Sequence, residues 1–134
     1  MKSVSEISNS EIDTELAERM GWHKERGGHY DFWCNLSGQL MCAIDTLRNE
    51  SWNPTSSLDQ CHLIEDYLDE LRETNHRLTC IPALRYADHL RIIVGAKGKL
   101  YFAYDLIHAT ARQKSEALLM TLREVEECLK LCGQ

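Results

Sequence analysis

The residues best suited to chemistry in this chain are gathered at Trp52-Asn53-Pro54-Thr55-Ser56-Ser57 and in a basic segment further on. Pro54 forces Asn53 extended, and the hydroxyls of Ser56 and Ser57 can accept the free N–H groups of a helix that begins here. A Gln at the third position after Ser57 adds to that start signal. Free N–H groups and a positive dipole end at a helix start suit an anion, and Trp52 beside them could stack on a base. Ser57 capping its own helix, with Trp52 stapled into the core, is the other reading of the same residues. The charge needed for an anionic ligand lies elsewhere. The net charge is -6, but residues 1–76 carry -9, residues 77–114 carry +5 and residues 115–134 carry -2. Arg77, Arg85, Arg91, Lys97, Lys99, Arg112 and Lys114 form this basic island, and arginine has the better fork for phosphate. Trp52, Ser56, Ser57, Arg91 and Arg112 are therefore the candidate ligand-binding residues.

Other chemistries find less support. The cysteines fall at 34, 42, 61, 80, 128 and 132, each in or beside an apolar run. No export signal precedes them, so they read as reduced, buried thiols rather than a disulfide framework. Cys61-His62, His29 with Cys34, and Cys128 with Cys132 are the close groupings, and none has a CxxC or HExxH pattern. There is no GxSxG, P-loop or GxGxxG. No catalytic residue, metal or cofactor is expected. The overall acidity disfavours a broad nucleic-acid surface, and no apolar run approaches the roughly 20 residues of a membrane span. A cytoplasmic protein is expected.

The elements that would position these residues follow from periodicity. Residues 1–9 read as a flexible N-terminus and residues 10–134 as a single domain. Asn9 or Ser10 can cap a first helix with Ile12, Leu16, Ala17 and Met20 on one face, and Gly21 can end it in a left-handed conformation. Residues 23–29 read as a loop. Tyr30, Phe32 and Cys34 alternate as a strand does, and Ser37-Gly38 marks a turn. Leu40, Cys42 and Ile44 then fit either a second strand or, with Leu47, a helix, leaving residues 36–48 open between the two. The second helix runs from 57 to 73, with Leu58, Cys61, Ile64, Leu68 and Leu71 as its apolar stripe and many acidic residues elsewhere on it. Leu90 to Val94 and Leu100 to Tyr104, joined by Gly-Ala-Lys-Gly-Lys, read as a hairpin. The longest helix starts near Thr110 and carries Leu118, Leu122, Val125, Leu129 and Cys132, with Gly133 as its stop. The order predicts an α+β domain: a mostly antiparallel sheet layered between helices, an α-β-α sandwich with three main helices. Three apolar helix faces exceed what one sheet face covers; helices on both sides of the sheet, or one face used for a homodimer or higher homo-oligomer, would resolve the excess.

Leu16-Ala17-Glu18-Arg19-Met20-Gly21-Trp22, the Trp52–Ser57 entry, and a last helix introduced by Ala109-Thr110-Ala111 and containing Glu116-Ala117-Leu118-Leu119 together resemble the phage ABA-sandwich domain family, over about residues 12 to 133. The resemblance implies a layer of antiparallel strands between helical layers. It also implies a small phage or prophage protein similar to the anti-defence sponges that antagonise Thoeris. Those bind a cyclic nucleotide or cyclic ADP-ribose-type immune signal and withhold it without degrading it. On this reading the chain is not an enzyme, and its partner is a small, nucleotide-like anion. The competing expectation is a protein-binding inhibitor of a host or defence factor, acting through the acidic surface of residues 59–73.

Overall fold

The computed structural model describes residues 2–26, 31–35, 40–43, 52–75, 78, 80–95 and 108–132. Among these the protein is α+β and mostly helical. It has four α-helices, a short 3-10 turn at Val4–Glu6 and a three-stranded antiparallel sheet.

Helix α1 spans Asn9–Arg19. Its cap is Ser8, one residue earlier than the sequence predicts, and the Ser8 hydroxyl accepts the Glu11 N–H at 3.2 Å. The helix ends as expected. Gly21 takes φ 85, and the Gly21 and Trp22 N–H groups return to the Glu18 and Ala17 carbonyls, each at 3.0 Å. This is the two-bond closure that a left-handed residue after a helix permits. It turns Trp22 back toward the core. Ile12, Leu16, Ala17 and Met20 are all buried, as their spacing requires.

Strands β1 (His23–Arg26), β2 (Asp31–Cys34) and β3 (Leu40–Ala43) follow. The order is β1-β2-β3, and the register is irregular between Trp33 and Cys34. Two sequence expectations change here. Residues 23–26, read as loop, form an edge strand whose exposed polar side chains carry no alternation of hydrophobicity to announce it. Residues 40–43, read as strand or helix, are strand; residues 44–48 lie outside the described residues.

Helix α2 is Leu58–Thr74, capped by Ser57, whose hydroxyl accepts the Gln60 N–H at 3.3 Å. The Gln60 side-chain oxygen takes the Asn53 N–H at 2.6 Å and so ties down the chain before the turn. Cys61, Ile64 and Leu68 are buried, while Leu58, the first member of the expected stripe, is 46% exposed.

The predicted hairpin fails in its first half. Leu90–Val94 is the end of helix α3, Pro82–Val94, which starts with Pro82 in its first turn and stops at Gly95, φ 65. Proline suits a helix start because its missing N–H would be unpaired there. Gly95 is a helix stop rather than a hairpin tip. The partner run Leu100 to Tyr104 lies outside the described residues.

Helix α4, Ala111–Cys132, is the centre of the molecule. Thr110 and Gln113 cap it reciprocally: Thr110 Oγ1 accepts the Gln113 N–H at 3.1 Å, and Gln113 Oε1 accepts the Thr110 N–H at 2.9 Å. Ala117, Leu118, Leu119, Leu122 and Val125 are buried. Around them α4 packs most extensively on α3, then on α1, and also on α2. The main core joins residues of α1, α2 and α4 with Trp33 of the sheet and Trp52. At roughly 2 kcal/mol for each large apolar side chain, this burial is the main force holding the helices together. The N-terminal residues join it as well. Val4 and Ile7 are buried, and the 3-10 turn packs on α4.

Candidate functional site

The turn that leads into α2 is the first place to look. Its backbone closes through the Ser56 N–H to the Asn53 carbonyl at 2.8 Å and the Ser57 N–H to the Pro54 carbonyl at 3.3 Å. A carboxyl group does sit at this turn, and it belongs to the protein. The buried Asp13 carboxylate accepts the Thr55 N–H at 2.9 Å and the Thr55 hydroxyl at 3.0 Å. Burial pushes the Asp13 carboxyl above the usual carboxylate range, against the opposing pull of the two Thr55 hydrogen bonds and of the Arg112 charge. Trp52 is buried too. Its Nε1–H donates to the Asp13 carbonyl at 2.7 Å, and its ring lies 4.6 Å from that of Trp22, tilted by 57°. Beneath this turn the Cys61 thiol donates to the Pro54 carbonyl at 3.2 Å and lies 3.6 Å from the Ser115 hydroxyl.

These positions decide what each predicted residue can do. Trp52 faces the core and would have to leave it to stack on a base. Ser57 caps α2, while Ser56 beside it is exposed. Arg112 donates to the Val4 and Ile7 carbonyls at 3.0 and 2.9 Å, to Asn9 Oδ1 at 2.6 Å and to Glu116 at 3.0 Å. Its guanidinium is committed to clamping the N-terminal residues on α1 and α4. Arg91 stands exposed on the last turn of α3, where a cation meets the negative end of the helix dipole. It shares no hydrogen bond or ion pair with the other four among the described residues. The structure therefore gathers Trp52 and Arg112 near Asp13 as a structural joint, uses Ser57 as the cap of α2 and leaves Ser56 and Arg91 at the surface.

A second site was not visible in the sequence. A cleft of about 620 Å³ is lined by Arg19, Arg85, Arg123 and Lys130, by Glu124, Glu126 and Glu127, and by Cys80 and Cys128. Its neighbour of about 430 Å³ shares Arg19 and Glu126 and continues over Met20, Tyr67, Leu71, Leu122 and Leu129. Rigid helices hold the charges. Arg123 grips Glu15 with two nitrogens, each at 2.7 Å, and Arg19 reaches the same carboxylate at 2.7 Å. The Arg123 hydrogen bond holds the Glu15 carboxyl below its ordinary range. Arg19 also pairs with Glu126, and Arg85 with Glu124 at 2.7 Å. Lys130 is looser, 3.7 Å from Glu127 and 65% exposed. At the cleft wall Cys80 and Cys128 are free thiols in contact, and burial followed by the Cys128 sulfur pushes the Cys80 thiol up to about 11. The cleft is thus a ladder of ion pairs beside an apolar floor.

One further grouping, His23, Glu25 and Cys34, holds potential metal donors and lies on the sheet. Burial, with Glu25 next to it, pushes the Cys34 thiol up. Reading residues 23–29 as a loop concealed it. The pattern that would have exposed it is His-x-Glu on one strand with a cysteine opposite on the next.

No protein-family model, curated protein or solved structure matches the chain. The fold and the sites define it no further than a mostly helical α+β protein with a charged cleft along its central helix, in which no described helix is long and apolar enough to cross a membrane.

Proposed function

We propose that the protein is a non-enzymatic binding protein that holds a small, nucleotide-like anion in the cleft along α4. The observation that carries this reading is the convergence of Arg19, Arg85, Arg123 and Lys130 on one cleft of about 620 Å³. That size falls in the range of roughly 300–1,000 Å³ typical of small-molecule sites. Phosphate oxygens would take over the arginine forks now held by Glu124 and Glu126, and the apolar floor toward Leu71 and Leu122 would receive a base or ribose. The ligand class stays the one the sequence predicts; the site moves from the α2 entry to the cleft. The resemblance to phage ABA-sandwich proteins supports placing the chain among phage or prophage anti-defence sponges, with a cyclic nucleotide or cyclic ADP-ribose-type signal as ligand and the bacterial cytoplasm as its place of action. On this reading the sheet is the middle layer of a sandwich. Leu84 and Ile92, 59% and 70% exposed about two turns apart on α3, offer an apolar strip for a homo-oligomer.

Calorimetry with a panel of cyclic dinucleotides, cyclic trinucleotides and cyclic ADP-ribose isomers tests the proposal. Binding should fall by about ten- to a hundredfold in Arg85→Ala, the loss of one or two charge-assisted hydrogen bonds. The ligand should be recovered unaltered after heat denaturation. No binding by any member of the panel at micromolar protein refutes the proposal, and a cleaved ligand refutes its non-enzymatic part.

A second reading rests on α2, where Asp59, Asp66, Asp69, Glu70 and Glu73 are all exposed. Such a surface suits docking on a basic host or defence factor. Reversing Asp66, Asp69 and Glu70 to lysine should abolish a protein partner and spare a ligand in the cleft.

A further inference from the structure

The β1–β2 pair carries three metal-ligating side chains on one face. In its antiparallel register His23 lies opposite Cys34, Lys24 opposite Trp33 and Glu25 opposite Phe32. Directly opposed residues share a face of the sheet, and so do residues two apart on a strand. His23, Glu25 and Cys34 therefore project to one side. Lys24 and Trp33 take the other, where Lys24 Nζ lies 5.2 Å from the centre of the Trp33 ring. A ring nitrogen, a carboxylate oxygen and a thiol sulfur all fall within 4.8 Å of one another, with His23 Nε2 3.0 Å from Glu25 Oε1. Cys34 is 1% exposed, while His23 and Glu25 are open to solvent. The sulfur is a fixed floor and the other two donors are free to adjust.

We propose that His23, Glu25 and Cys34 form a binding site for a divalent transition metal of the zinc type. The donor set chooses the metal: thiolate and imidazole disfavour magnesium and calcium, which prefer all-oxygen shells, and favour zinc or cobalt. Geometry agrees. Bonds of about 2.0–2.3 Å around a tetrahedral zinc place donor atoms about 3.4–3.6 Å apart. The His23 to Glu25 contact therefore widens by about half an ångström, and, with every separation within 4.8 Å, no other pair has to close by more than about 1.4 Å. Both shifts are within the rotamer freedom of two exposed side chains. Carboxylate and thiolate together balance a dication, and three protein donors leave one position for water or a ligand atom. The competing account, a plain His–Glu surface pair, gives Cys34 no part.

Cobalt(II) added to the metal-stripped, reduced full-length protein is the test. Thiolate coordination should produce a sulfur-to-cobalt charge-transfer band in the near ultraviolet and intense visible bands of tetrahedral cobalt, both bleached by zinc. Cys34→Ser should abolish the charge-transfer band. His23→Ala and Glu25→Ala should weaken binding by at least about tenfold, the cost already typical of groups that merely support a ligand. Cys80→Ser and Cys128→Ser should leave the spectrum unchanged, and circular dichroism of each variant shows whether it has kept its fold. No charge-transfer band in the wild-type protein overturns the proposal. So does a band that survives Cys34→Ser, or one lost with Cys80 or Cys128. Because the readout is metal binding on the sheet, it stands or falls independently of the ligand in the cleft.

Discussion

Replacing Asp13 with alanine should weaken the fold by an amount, and with a pH dependence, that the geometry fixes in advance. The substitution removes the acceptor of two hydrogen bonds and leaves the Thr55 N–H and hydroxyl without partners at a residue only 6% exposed. Each stranded donor costs about 1–3 kcal/mol, and removing a carboxylate held in a desolvated place returns part of that. The net loss is about 2–4 kcal/mol, or about 6–15 °C in Tm for a chain of this size. The Trp52 hydrogen bond is made to the Asp13 backbone carbonyl and survives, so tryptophan emission of the folded variant should stay close to wild type. The pH dependence separates this account from an ordinary salt-bridge loss. The folded-state pKa of Asp13 is raised, so its contribution to stability is greatest below the unfolded value of about 3.9 and diminishes as pH rises through the folded pKa. The gap between wild type and Asp13→Ala measured by urea unfolding should therefore widen as pH falls through the folded pKa toward the unfolded value of about 3.9. A gap under about 1 kcal/mol at neutral pH would refute the hydrogen-bond reasoning. A gap that narrows on acidification would refute the dominance of desolvation.

Glu15 should behave in the opposite way. Its folded pKa is lowered, chiefly by Arg123, so its stabilisation is present above the unfolded value of about 4.3 and is lost as pH falls through the folded value. Glu15→Gln should cost about 2 kcal/mol at pH 7 and flatten the acid limb of the stability profile, read by urea midpoints across pH. Ser57→Ala removes the α2 cap and should cost about 1 kcal/mol in a thermal melt, whereas Ser56→Ala, at an exposed turn position, should cost less than half of that.

What could be read from the sequence was local. Gly21 and Ser57 announce a helix stop and a helix start through their own backbone needs, and the Leu118, Leu122, Val125 spacing marks the buried face of α4 without reference to any partner. Where two local signals conflicted, the weighting failed. Ile92, Ile93 and Val94 before a glycine-rich segment argue for a strand, yet Pro82 as a helix start and Tyr86, Leu90 and Ile93 at helical spacing argue for α3. Tertiary packing settles such a conflict. Leu90 gains burial against Ala117 of α4 only as part of a helix, and β-propensity is too weak to resist that.

The sites were hidden for a different reason: their partners are distant in sequence. Glu15 meets Arg123 across 108 positions, and Cys80 meets Cys128 only because α3 lies along α4. The basic island of residues 77–114 predicted an anion site from the residues that carry its charge, but among the described residues of that island only Arg85 lines the cleft. Arg19, Arg123 and Lys130 come from segments whose net charge is negative. Net charge over a segment thus misleads when each cation is paired, because a paired arginine vanishes from the sum while remaining in the cleft wall. The same argument explains the α2 entry. The turn does hold a carboxyl group, that of Asp13 on a helix some 40 positions earlier, bound by Thr55.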